Sequence, residues 1–173
     1  MSKIIVVDKN DKIIGAMGRD EATEKRFIQR IVRIFMFDEK KRVYLQRRSR
    51  KKVLFPDTWD VSASGHVDEG ETYLSAAKRE LKEEIGIQRE SLTRIIKYYS
   101  EEYYKNKNLY IKMFNVLYTT SIGKGIIFLD KREVSFGSWF YSHKIDEMIK
   151  ENPNDFAHGC LSAWEKYRGF IGK

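Results

Sequence analysis

Cysteine, proline and long apolar runs are all scarce in this sequence. The single cysteine, Cys160, excludes an internal disulfide framework and suits a reducing compartment. With no histidine in a recognisable partner pattern, it reads as a small buried residue rather than a nucleophile. Only two prolines occur in 173 residues, against 42% apolar and 13% aromatic residues. That balance excludes a disordered or proline-rich chain and suits one folded domain over residues 1–173. No apolar run approaches the roughly 20 residues that span a bilayer. The opening MSKIIVVDKNDK is apolar for four residues before charge returns, too short for a signal-peptide core. The chain therefore reads as soluble and cytoplasmic, with no repeat, low-complexity tract or linker.

What the chain has in excess is positive charge, a formal +8. Such a balance favours anionic partners, among them phosphorylated small molecules. The densest run, Arg47-Arg48-Ser49-Arg50-Lys51-Lys52, has no interleaved aromatics and no flanking nucleic-acid motif, so no nucleic-acid partner is expected. Taken alone it is a solvated basic loop.

Periodicity and turn chemistry predict the order of elements. Lys3–Val7 and Lys12–Met17 form a hairpin around Asp8-Lys9-Asn10-Asp11, and Glu21–Phe27 is a short helix. Ile31–Phe37 is a strand of Val, Ile and Phe interrupted only by Arg33, and Val43–Gln46 is its partner. Trp59–Val67 holds one or two short strands. The clearest helix runs from Thr72 to Ile85, with Thr72 as N-cap and Gly86 as stop. Ser75 where Glu or Gln would complete a capping box leaves that box incomplete. Leu74, Ala77, Leu81 and Ile85 form its expected buried stripe. Long strands follow at Thr93–Tyr103 and Leu109–Thr119, joined by the polar segment 105–108, with a loop at Gly123 and Gly125. A strand at Val134–Tyr141 and a helix at His143–Lys150 precede a C-terminal helix from Asn152-Pro153-Asn154-Asp155 to about Arg168. The class is α/β with a mostly antiparallel or mixed sheet, because several turns are too short for helical crossovers.

Glu80, Glu83 and Glu84 stand at i, i+3 and i+4 on the central helix, which gathers three carboxylates opposite the apolar stripe. Three such glutamates alone would be an ordinary solvated face. A divalent cation would turn their mutual repulsion into attraction, since Mg²⁺ takes hard oxygen ligands. Their registration decides between the two. Gly65, five residues, Glu71, seven residues, then Arg79-Glu80-Leu81-Lys82-Glu83-Glu84-Ile85-Gly86-Ile87 resembles, with no departure, the Nudix hydrolase box G-x5-E-x7-R-E-U-x-E-E-x-G-U, where U is a bulky aliphatic. At average residue frequencies a chance match is on the order of one in 10⁹.

The resemblance implies the Nudix fold, an α/β/α sandwich with a central mixed β-sheet, and hydrolysis of a diphosphate linkage in a nucleoside diphosphate derivative with Mg²⁺ or Mn²⁺. It makes Glu80, Glu83 and Glu84 metal ligands together with the Gly65 carbonyl, pairs Arg79 with Glu71, and leaves the base among the glutamates, with Glu84 preferred. Glu133, ahead of the strand at Val134, is an auxiliary ligand or base. No membrane partner is implied, and a homodimer is left open because no exposed apolar stripe declares an interface.

Val7-Asp8, Ile14-Gly15, Gln46-Arg47-Arg48-Ser49, Phe55-Pro56, Trp59 and Gly65-His66 also resemble the branch of type I isopentenyl-diphosphate isomerase. That likeness assigns Arg48 and Lys52 to the substrate diphosphate. An isomerase needs a cysteine where Ser64 stands and histidine ligands where Ala22 and Gln29 stand, and it lacks the complete hydrolase box. Isomerisation and a non-catalytic diphosphate-binding domain are the rival readings.

Overall fold

The computed structural model describes residues 2–89, 91–104, 108–123 and 127–172. Residues 105–107 of the expected polar link and Gly125 of the expected loop lie outside them. The sheet is organised around β3 (Ile28–Phe37), whose Val32, Ile34 and Met36 alternate with Phe35 between two cores. One edge of β3 is shared in succession by three short antiparallel partners: β1 (Ile4–Val7) at Ile28 and Gln29, β6 (Ala63–His66) from Ile31 to Ile34, and β4 (Val43–Arg48) at Met36 and Phe37. Along the other edge runs β8 (Leu109–Ser121), parallel, in register from Ile28 opposite Lys112 to Phe37 opposite Ser121. The remaining strands extend this frame antiparallel: β2 (Ile13–Met17) on β1, β5 (Trp59–Asp60) and β9 (Val134–Phe140) on β4, and β7 (Thr93–Tyr104) on β8. The expected mixed sheet is present, with β3–β8 its parallel pair.

Helices cover both faces. On one, α2 (Tyr73–Ile85) buries Ala76, Ala77, Leu81 and Ile85 against Val32, Ile34, Met36 and Val116. On the other, α3 (Ser142–Glu151) and α4 (His158–Ile171) pack Ile145, Cys160, Ala163 and Trp164 against Phe35, Val43, Leu45 and Leu117. Burial of each such aliphatic side chain contributes roughly 1.5–3 kcal/mol. The result is the α/β/α sandwich. Cys160 is buried with no partner sulfur, and α1 (Arg19–Glu24) starts and ends earlier than its expected range.

Four local expectations need correction. Leu74 is 40% exposed; Ala76 takes the place expected of it in the stripe. Glu84, expected among the solvent-facing acids, is only 8% exposed, because it lies three residues after the core residue Leu81. The capping box on α2 is complete: the Ser75 amide donates to Thr72 Oγ1 at 3.1 Å and the Thr72 amide donates to Ser75 Oγ at 2.9 Å. The serine hydroxyl is close enough to take the role of the longer Glu or Gln. Finally, Asn152–Asp155 does not open α4. Pro153–Asp155 is a separate 3-10 turn, after which Phe156 and Ala157 are extended. Phe156 is buried in the core and the Ala157 amide donates to the Trp59 carbonyl at 2.9 Å, which holds this stretch beside β5 and delays the helix to His158.

Candidate active site

The strand–loop–helix from β6 to α2 is held together by one guanidinium. Arg79 donates to both oxygens of Glu71, from Nε at 2.8 Å and from Nη2 at 3.0 Å, and Nη2 also reaches the His66 carbonyl at 2.9 Å. A fork of this kind fixes orientation as well as charge. Glu71 turns back further to accept from the Asp68 amide at 3.0 Å. Burial works against the Glu71 charge, but the Arg79 bonds outweigh it and hold the carboxyl below its ordinary range. The bonds to Glu71 likewise raise Arg79.

The three box glutamates follow on the same helix. Arg79 Nη1 touches Glu80 at 2.7 Å and Glu83 at 3.2 Å. Glu84 Oε2 is turned inward, accepting from the Ser64 amide at 3.0 Å and from Gln46 Nε2 at 3.2 Å. Burial pushes Glu80 up to about 7 against the pull of Arg79. Burial, reinforced by the Glu80 charge, pushes Glu84 up to about 8. Gly65 packs under them: a Cβ there would stand 1.9 Å from Glu80 Oε1, so glycine is required by the approach of the carboxylate. Among the described residues no three acidic, histidine or cysteine side chains converge into a finished cage, since Arg79 occupies Glu80 and Glu83 while Glu84 faces Ser64. The donor set nevertheless fits a hard divalent cation: all-oxygen, anionic, partly desolvated, and placed over a glycine backbone.

The glutamates line a cleft of about 1190 Å³. Arg48, Lys52 and Glu133 line it as well. The structure joins Lys52 to Glu133 in an ion pair. Arg48 is spent on the protein itself: Nη1 binds Asp60 at 2.9 Å, while Nε and Nη2 donate to the Phe55 and Leu54 carbonyls at 3.1 and 3.0 Å. It pins the basic loop to the cleft wall, and Asp60, a buried acid that the motif reading passed over, is its anchor.

The positions where an isomerase would need metal ligands are filled otherwise. Ala22 is fully buried. His66 Nε2 is 2.9 Å from Gln29 Oε1, and Gln29 Nε2 donates to Thr23 Oγ1 at 2.9 Å. Burial, with Arg19, Arg33 and Arg79 nearby, pushes His66 down to about 3, so the imidazole is neutral and satisfied. Gln46, the second anchor of Glu84, was also missed; its signal was a polar residue at the apolar end of β4.

A family model for the NUDIX domain matches residues 28–163. The chain belongs to the Nudix family. An uncharacterised Nudix hydrolase of Pseudomonas aeruginosa is 40% identical over 81 residues, 47% of this chain and 48% of that protein. An isopentenyl-diphosphate Delta-isomerase of Pectobacterium atrosepticum is 28% identical over 155 residues, 90% of this chain and 73% of that protein. Relatives thus include both Nudix hydrolases and the isomerase branch. The matched stretches cover from about half to about three quarters of the curated relatives' length. A crystal structure of a Deinococcus radiodurans protein superposes with a TM-score of 0.75 at 22% identity, covering 96% of this chain and 98% of that one, which establishes the shared Nudix fold. No helix among the described residues is long and apolar enough to cross a membrane.

Proposed function

We propose that this Nudix chain hydrolyses a diphosphate linkage in a small nucleoside diphosphate derivative, with Mg²⁺ or Mn²⁺ as cofactor. The observation that carries the reading is the arrangement at the β6–α2 junction: Glu71 and Arg79 locked together, with Glu80, Glu83 and Glu84 beside Gly65 and lining a large cleft. Glu80, Glu83, Glu84 and the Gly65 carbonyl would hold the cation, which when bound neutralises the diphosphate and lowers the pKa of water beside it. The chain's own groups do the rest. Arg79 and Glu71 are positioning residues that set the pitch of α2 against β6. Glu84, with its high proton affinity and fixed orientation, is the best-placed base to take a proton from the attacking water. Lys52 and Arg48 supply positive charge on the side from which the phosphates approach, and Glu133 is the auxiliary acid, brought to the cleft by its pair with Lys52.

The isomerase reading loses support from the same geometry. Ser64 stands where that chemistry needs a thiol, and the Gln29–His66 pair is a closed neutral contact rather than a ligand set. A phosphate-release screen of diphosphate compounds with Mg²⁺ and Mn²⁺, run beside isopentenyl diphosphate, tests the assignment. Glu83→Gln or Glu84→Gln should lower turnover by at least about tenfold with the fold retained. Wild-type turnover in both variants would remove the metal assignment.

A further inference from the structure

On the side of the cleft where α4 begins, one charged side chain of β3 is largely buried, its residue standing across the sheet from Ser64. Arg33 interrupts the apolar run of β3 and is only 8% exposed. Among the described residues it has no ion-pair partner within 4.0 Å. Its Nε donates to Asn115 Oδ1 at 3.0 Å, Nη2 has only the Met113 sulfur at 3.7 Å, and Nη1 makes no hydrogen bond. Asn115 is itself fixed, donating to Ser100 Oγ at 2.9 Å, so the guanidinium is aimed rather than mobile. The acids Asp60 and Glu102 offset the cost of burying this charge, and the open Nη1 is free to meet a ligand or water in the cleft.

Two further features meet Arg33 there. Its Nη1 lies over Gly159, where a Cβ would stand 2.1 Å away, in the first turn of α4. Ala157 and Gly159 line the cleft, and among the described residues only the His158 and Gly159 amides of that turn are without an acceptor, so they add donors beside the guanidinium. Next to it stands an aromatic group: His158 and Tyr104 stack at 5.6 Å and 12°, and Phe55 lies 4.6 Å from His158. Phe55 and Tyr104 face the cleft, and so do the acids Asp60 and Glu102.

We propose that Arg33 is a specificity-determining residue, and that its guanidinium holds a nucleobase presenting two adjacent acceptors, guanine or cytosine in preference to adenine. This rests on the diphosphate-hydrolase reading above and names the other half of its substrate. An isoprenoid chain would leave the open Arg33 Nη1 without an acceptor, so the pocket is hostile to it. A second anionic group would meet Asp60 and Glu102, whereas a neutral ring tolerates both. The guanidinium edge suits an oxygen beside a ring nitrogen, as in guanine O6 and N7 or cytosine O2 and N3. Adenine sets an amino donor beside N7 and matches it poorly. The aromatic group supplies the surface on which such a ring can rest.

The test needs no turnover. Titration calorimetry of the full chain with GMP, CMP, AMP and ribose 5-phosphate, without divalent cation, should give GMP or CMP at least about tenfold tighter than AMP, with ribose 5-phosphate weaker still. Arg33→Met should abolish that preference. Gly159→Ala, which forces the guanidinium aside while keeping its charge, should do the same. Equal affinity for the three nucleotides in the wild type overturns the proposal whatever the variants do. A preference that survives in both variants, with wild-type melting, overturns the role of Arg33. Hydrolysis of diphosphate compounds with no base preference would leave the hydrolase reading standing and remove this one. Base-selective binding with no hydrolysis would support Arg33 and count against the hydrolase.

Discussion

Glu84 carries the sharpest residue-scale consequence. Its place in the box was legible from spacing, but its burial was not, because the carboxylates were assigned to one face without weighing the three-residue step from Leu81. The inward turn raises its proton affinity, and that links the site to stability. A carboxyl whose folded value lies at about 8, against an ordinary 4.5, favours the folded state while protonated. Its contribution is complete below 4.5 and is lost as pH rises through about 8. Glu80, at about 7, acts in the same direction. His66 has the opposite sign, since its folded value of about 3 lies below its ordinary 6.5; its stability is present above 6.5 and lost on acidification. The clean window is therefore pH 6.5 to 8. There the metal-free protein should melt at progressively lower temperature as pH rises, and Glu84→Gln should flatten most of that slope. Saturating Mg²⁺ should raise the melting temperature most at the alkaline end, because cation and proton compete for the same oxygens. A wild-type melting profile level across this window would show that Glu84 is not held in its protonated form.

At the scale of the element, α2 shows both what pattern reveals and what it hides. Thr72 and Gly86 were readable as its ends, and the structure gives them their geometry: an extended Thr72 and a left-handed Gly86 at φ 70°, a conformation that favours glycine. The reciprocal Ser75 contact was not readable, because the rule that predicts it is written for longer side chains. Since α2 carries Glu80, Glu83 and Glu84, its first turn matters to more than local order. Thr72→Ala should cost about 1 kcal/mol in urea unfolding. Ser75→Ala should cost less, because it removes only the returning half of the box. Equal losses in the two would mean that the serine hydroxyl, not the threonine, satisfies the helix end. β3 teaches a complementary lesson. Its apolar alternation gave away a central strand, and the one residue that broke it, Arg33, was the signal for the cleft wall beside α4. A single polar interruption could be noticed in the sequence, but its partner Asn115 lies 82 residues away, beyond the reach of any local pattern.

For the whole molecule, the box and the general architecture were legible because both are written in short-range spacing. The cleft was not, since its walls come from β3, the basic loop, β7, β8 and the start of α4. The same holds for a second long-range tie in the fold. Asp11, in a turn at φ 61°, accepts from Arg30 Nε and Lys97 Nζ, each at 2.7 Å, and from the Tyr73 hydroxyl at 3.1 Å. Burial opposes its charge, but these donors prevail and hold it below the ordinary aspartate range. One residue of the first hairpin thereby joins β3, α2 and β7. Asp11→Ala would strand two cations and a phenol, and should lower unfolding stability by about 3 kcal/mol. A loss under about 0.5 kcal/mol would show the knot to be solvated rather than structural.

The parallel pairing of β3 with β8 also has a meaning in time. During synthesis the complete glutamate helix emerges while Lys112 to Ser121, the residues that will lie along β3, are still unmade. Local contacts can form α2 early, whereas the β8 edge of β3 must wait for a partner more than 80 residues downstream, and such distant closures are slow. A nascent chain therefore holds the box glutamates before it holds a place for a substrate, and the cleft should be completed only late, once β8, Glu133 and the start of α4 have all docked.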